Sequence, residues 1–360
     1  MKGDTIPSAI EIIRDRDAGK DIFRLTDSPG ALTHHLYFTS PTMTQDNSWV
    51  IYGSDREVEG RFDLYKLEFG SFNSVQITEG EGIWTQGAAF APDGSEVFFS
   101  RDDNHIWAAD LETLEEREVW HMEEAASVGY LSLSPDSEYL TFAFSRERLW
   151  EKEISSEEMV ERFPRCGVAV VRTDGSEAWL AVDANVLISH AQFCPDDGNL
   201  ILYCHEGPWH RVQRMWLVNR DGTNCRPLYA QAQNEGVGHE FWGDGGRTVY
   251  FTAYGGRAPQ GLWAISRSGA APRCVLAGPT HAHGTASPNE DVFVVDECFG
   301  DRDHLWVAYR GSWEPRILCR VGSSWAKQKL HPHPRFLSTG QAVLFTSDRT
   351  GSGELYMVSV

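Results

Sequence analysis

Histidine is the side chain in this sequence best supplied and best spaced for chemistry. There are 13 in the chain, and four of them, His190, His239, His283 and His333, each stand five residues before a recurring turn signal. Neutral imidazole binds divalent cations and exchanges protons near neutral pH, so a set of histidines at one repeated position points to a metal site, a general base, or both. Other polar residues gather in short packets around them: THHLYF (Thr33 to Phe38) with His35, CHEGPWHRVQRMW (Cys204 to Trp216) with His205, Glu206, His210 and Arg214, GHEFW (Gly238 to Trp242), THAHG (Thr280 to Gly284), and QKLHPHP (Gln328 to Pro334). In the last of these, a His-x-His pair on extended backbone would turn the rings of His331 and His333 to one face, with proline on both sides of His333 restraining the chain. A lone histidine such as His105, His121 or His304 reads as a turn or surface residue. Any one of the four aligned histidines alone reads equally well as a hydrogen-bonded core residue; four in one register, with His331 beside them, do not.

The elements that must position these side chains follow from the repeat itself. Turn signals begin at Gln45, Pro92, Pro135, Pro195, Asp244, Pro288 and Ser338, with intervals of 47, 43, 60, 49, 44 and 50 residues, and each is followed by an alternating, β-rich run such as EVFFS or TVYF. Intervals of about 40 to 50 residues with several short strands in each predict the four-stranded blades of a β-propeller. Seven signals predict an all-β, seven-bladed propeller formed by residues 1–360 as one domain. The chain ends after the third strand of the last blade, so the segment DIFRLT (Asp21 to Thr26) is expected to supply its outer strand and close the ring. The residues five places before each signal are Ser40, Gly87, Tyr130, His190, His239, His283 and His333. They fall on the innermost strands, where equivalent positions converge on the propeller axis. The longest interval contains SRERLWEKEISSEEMVERF, which lacks Gly and Pro and predicts a short helical insertion near residues 145–163, either a solvated excursion or a rim over the site.

Composition narrows the partners. A formal charge of −20 opposes a nucleic-acid backbone, and no Lys/Arg cluster reverses it. The seven cysteines form no C-x-x-C pair and are odd in number, which argues against a disulfide framework or a thiolate zinc site. The N-terminal residues have neither the apolar core of a secretory signal nor the length of a membrane span, so a cytoplasmic protein with no membrane partner is expected.

The packets CHEGPWHRVQRMWLVNRDGTN, GHEFW and HPHP resemble the oligogalacturonate lyase family, polysaccharide lyase family 22. The likeness extends more weakly from THHLYF to LFTSD and so covers nearly the whole chain. The resemblance implies a seven-bladed propeller that binds a divalent cation, typically Mn2+, and cleaves short oligogalacturonides by β-elimination to 4,5-unsaturated products. Carried over by motif, it implies His283, Gln328, His331 and His333 as metal ligands, His239 as the base and Arg214 at the reacting uronate. His281 competes with His283, and the register favours His283. His190, His205, His210, Glu206 and His35 remain as candidates for holding an acidic oligosaccharide. A lyase for another uronate, or a non-enzymatic TolB-like binding propeller, are the alternatives.

Overall fold

The computed structural model describes the chain except for Ala9, residues 149–154, Phe163, residues 279–280, residues 298–302 and Trp313; the side chains of Ser156 and His281 also lie outside the described part. Its strands form seven antiparallel sheets arranged as the blades of a propeller. Blades two, four, five and six have four strands each. Their inner strands are Ile83–Phe90, Ile188–Cys194, Gly236–Trp242 and His281–Ala286. In blade three the inner strand is broken into Ser127–Val128 and Ser132–Leu133.

Blade seven closes the ring as the sequence predicts. Asp21–Arg24 pairs antiparallel with Glu354–Ser359, the last strand of the chain. Two further strands were not foreseen: Glu11–Arg14 continues blade seven outward, and Thr5–Ile6 adds an outer strand to blade one by pairing with Ser74–Gln76. Both are short, and neither carries the alternation by which the other strands are recognised.

The apolar residues sort into seven buried clusters, one at each interface between neighbouring blades. The strand Ala342–Ser347 shows how. Its side chains alternate between faces, so Val343 and Phe345 pack toward blade six while Ala342 and Leu344 pack toward blade one. Each middle strand is thus buried on both faces, and the inner strands are held rigidly around the axis.

The insertion contains one short helix, Ser156–Glu161, capped by the Ser155 side chain, which accepts from the Glu158 amide. The earlier part of the expected segment, 149–154, lies outside the described residues. The helix packs against the loop after Cys204. Glu157 and Glu161 face Arg211, and Val160 lies close enough to Gly207 that a Cβ there would be 2.6 Å from it.

Candidate active site and metal centre

The repeated position owes its geometry to irregular backbone. In blades four, five and six the ladder between the first two strands slips next to the histidine, between Ser189 and Gln192, Gly238 and Phe241, and His281 and Gly284. His190, His239 and His333 have φ of 50°, 51° and 44°, the left-handed region that non-glycine residues rarely occupy. Such a bulge re-aims a side chain that regular pleating would direct into a blade interface. Strain of about 1–3 kcal/mol per residue, repeated in three blades at one place, is the signature of a built site.

His283, His331 and His333 present ring nitrogens that all lie within 4.8 Å of one another. The His-x-His pair does not reach this arrangement by strand alternation, as the sequence suggested. Gln328–Leu330 is a 3-10 turn ending at His331, and the inner strand of blade seven begins only at Arg335. Pro332 and Pro334 offer no N–H to a ladder, so the segment stays irregular and turns both rings inward. The Gln328 amide lies 3.3 Å from His333 Nε2.

Behind this cluster stands Asp296, fully buried on the second strand of blade six. It accepts from the backbone N–H of His283 (2.8 Å), from His283 Nδ1 (2.8 Å) and from the backbone N–H of His333 (3.2 Å). The His283 proton is thereby fixed on Nδ1 and Nε2 is left as a ligand atom. Burial lowers the His283 pKa to about 3 and takes His333 well below its ordinary value. Three converging imidazoles, with the Gln328 side-chain amide beside them, fit a divalent cation, and no carboxylate in the set favours a hard Ca2+-type cage.

His239 adjoins this cluster, its ring centroid 4.2 Å from that of His283. Its Nδ1 donates to the Ala282 carbonyl (3.1 Å) and also meets the Tyr254 hydroxyl. The outward nitrogen, Nε2, is therefore the one with a free lone pair. Burial, followed by the neighbouring His283 and Arg214, holds the ring neutral.

On the other side of His239, the Arg214 guanidinium lies between two carboxylates. Nε and Nη2 donate to Glu240 (2.9 and 3.3 Å), and Nη1 and Nη2 donate to Glu206 (2.6 and 3.3 Å). Burial alone would raise both acids; Arg214 and His190 outweigh it, lowering Glu206 to about 2 and holding Glu240 well below its usual range. His190 Nδ1 is 3.6 Å from each of them. His190, Cys204 and Glu240 have the spacing of a second metal site. Arg214 already supplies the positive charge there, and burial keeps the Cys204 thiol protonated.

Three expected substrate contacts are not brought to the site. His205 turns into the blade, stacked on Trp216 at 4.7 Å, because it continues the pleat of its strand with no bulge to redirect it. His210 is exposed at the rim, 3.8 Å from Glu157. His35 is buried with Nε2 on the Pro332 carbonyl (3.1 Å) and Nδ1 on that of Leu36 (2.5 Å), so it braces the HPHP segment instead of meeting a ligand. The useful residues of THHLYF are Tyr37 and Phe38. They fill the axis and form the floor of the site: Phe38 stacks on His333 (5.9 Å) and approaches His283 (5.3 Å), and Tyr37 stacks on His190 (5.6 Å).

The model of the family described as oligogalacturonate lyase matches residues 1–305. The chain belongs to the oligogalacturonate lyase family. An oligogalacturonide lyase of Pectobacterium atrosepticum is 26% identical over 383 aligned residues that cover all of this chain and 98% of that protein. Among solved structures, an oligogalacturonate lyase in complex with manganese superposes with a TM-score of 0.93 at 27% identity, covering 100% of this chain and 98% of the other. The oligogalacturonate lyase of Vibrio parahaemolyticus gives 0.92 at 28% identity, covering 100% and 99%. Membership decides for a lyase against a non-enzymatic binding propeller. Glu240, Asp296 and Tyr254, which tie the histidines of this lyase-family site together, were not singled out from the sequence, although Glu240 follows His239 directly in GHEFW.

Proposed function

We propose that this chain cleaves short oligogalacturonides by β-elimination, using a divalent cation, Mn2+ for preference, held by His283, His331, His333 and the Gln328 amide oxygen. When bound, the cation neutralises the uronate carboxylate and stabilises the charge that develops on it as the C5 proton leaves. His239 takes that proton on Nε2. The electron pair of the C5–H bond becomes the C4=C5 double bond, and the C4–O bond breaks with its electrons going to the leaving oxygen, which is then protonated. The observation that carries the reading is the placement of His239: its Nδ1 proton is committed to the Ala282 carbonyl, its Nε2 carries the free lone pair, and its ring adjoins the three-imidazole cluster.

Arg214 has five N–H groups. Four contacts to Glu206 and Glu240 leave one hydrogen on Nη1 without an acceptor among the described residues. We assign that hydrogen to the substrate carboxylate, with His190 and Glu206 holding sugar hydroxyls. The six described cysteines are unpaired, which suits a reducing compartment and supports a cytoplasmic location. Among the described residues no helix is long and apolar enough to cross a membrane.

The test is incubation of the manganese-loaded protein with digalacturonate and trigalacturonate while following ultraviolet absorbance of the conjugated unsaturated product. Absorbance should rise with the native chain and not with His239→Ala, whose metal content should match the native protein. No rise with any galacturonide sinks the proposal.

A further inference from the structure

The propeller axis is divided between two kinds of surface. Blades four to seven contribute the histidines. Blades two and three contribute an aromatic wall, and nothing in the chemistry above uses it. Trp84, Tyr130 and Tyr37 line a cavity of about 510 Å3 that also contains His190, Glu206 and Gln328, so the wall is continuous with the catalytic cluster. The volume lies within the range of about 300–1,000 Å3 typical of ligand pockets.

The position of Trp84 is itself built. Blade two has glycine, Gly87, at the place where later blades have histidine, and the indole lies over it. A Cβ on Gly87 would lie 2.5 Å from Trp84 Cε3 and Cζ3, so any other residue would push the ring away. The ladder slips between Trp84 and Ala89, which frees this stretch from regular pleating. Tyr130 packs beside Trp84 at 4.8 Å and stacks on Tyr37 at 4.0 Å, and Tyr37 in turn stacks on His190. Trp84 and Tyr130 are both partly exposed. Neither the indole N–H nor the Tyr130 hydroxyl is hydrogen bonded among the described residues, although buried tryptophan and tyrosine ordinarily find partners. An aromatic surface with two spare polar groups, beside a site for a uronate, matches a pyranose ring.

We propose that Trp84, seated by Gly87, is the stacking platform for the sugar next to the reacting uronate, and that it selects the galacto configuration. This rests on the proposed lyase function. In a galacto-configured pyranose the hydrogens on C3, C4 and C5 point to one side, giving an apolar face that fits flat on an indole. A gluco-configured ring turns its C4 hydrogen to the opposite side, so it cannot present these three together. The indole N–H and the Tyr130 hydroxyl then meet hydroxyls at the ring's edge.

The experiment compares native chain, Trp84→Ala, Trp84→Phe and Gly87→Ala, all manganese-loaded, in steady-state turnover of digalacturonate. A parallel titration of digalacturonate onto each metal-free protein is followed by calorimetry. Trp84→Ala should raise KM about tenfold, with a smaller effect on kcat and unchanged metal content. Trp84→Phe should fall between it and the native chain, and Gly87→Ala should shift KM in the same direction without touching the sugar. Equal KM for native chain and Trp84→Ala overturns the assignment. If the native chain turns over no galacturonide, the lyase reading has failed, and the titration alone decides: weaker binding by Trp84→Ala supports the platform, and equal binding overturns it.

Discussion

Asp296 gathers three donors from two blades, the His283 backbone N–H, the His283 ring and the His333 backbone N–H, on two oxygens that are out of water. Asparagine at that position has one acceptor oxygen, and its NH2 group would face a donor. Asp296→Asn is therefore expected to weaken manganese binding by about 10–100-fold while the chain still folds, measured by calorimetric titration of the metal. An unchanged affinity would show that the histidines are aimed without it. The four aligned histidines were legible in the sequence because histidine is uncommon and its spacing could be counted against the turns, while the metal and base roles proposed for them came from the family resemblance. Asp296 was not: it stands in VVDE among apolar strand residues, and an acid in such a run says nothing of whether it faces a neighbouring blade or a metal ligand. Glu240 is a similar case, since its partner Arg214 lies 26 residues away and meets it only across the interface of blades four and five.

At the scale of strands, counting back from each turn found histidines that gather at the axis without revealing how they reach it. Period-2 alternation has no mark for an extra residue, so the slips beside His190, His239 and His283, the broken inner strand of blade three and the short one of blade seven appear only in three dimensions. The ring-closing strand was legible because an incomplete final blade demands one. Ile22, buried in the cluster between blades six and seven, anchors it. A chain starting at residue 27 would lack Thr5–Ile6, Glu11–Arg14 and Asp21–Arg24 and would leave the edges of Ser74–Gln76 and Glu354–Ser359 unpaired. Such an edge recruits other chains. The truncated chain should elute as multimers or aggregate on size exclusion and melt at a lower temperature than the full chain; a monodisperse protein of native stability would mean that the N-terminal outer strands of blades one and seven are dispensable.

Over the whole molecule, filling an axial channel with imidazoles has a consequence for folding. Burial, the largest influence on each, lowers His34 and His283 to about 3 from an ordinary 6.5. A lowered histidine is favoured neutral in the fold, so the unfolded chain takes up the proton first. The stability these residues contribute is fully present above about pH 6.5 and is lost as pH falls toward their folded values. At pH 5 the loss is about 2 kcal/mol for each of the two, a large share of the margin of about 5–15 kcal/mol by which folded proteins are stable. Three acids oppose the trend: Asp63, raised by burial to about 6, Asp296, raised by burial to about 7, and Glu354, also raised by burial, favour their protonated forms in the fold, so the contributions of the two aspartates are present below about 3.8 and are lost as pH rises through 6 and 7. Between pH 5 and 7 these acids offset part of the loss, but His35, His205, His239 and His333, lowered by burial as well, add to it and outweigh them. The urea midpoint of the metal-free chain should therefore fall between pH 7.5 and pH 5. His34 sits away from the metal cluster, held by the His35 carbonyl and the Thr85 hydroxyl, so His34→Gln should remove part of that dependence without altering manganese binding. A midpoint that rises on acidification, or a His34→Gln variant with the native slope, would place the acid sensitivity elsewhere in the fold.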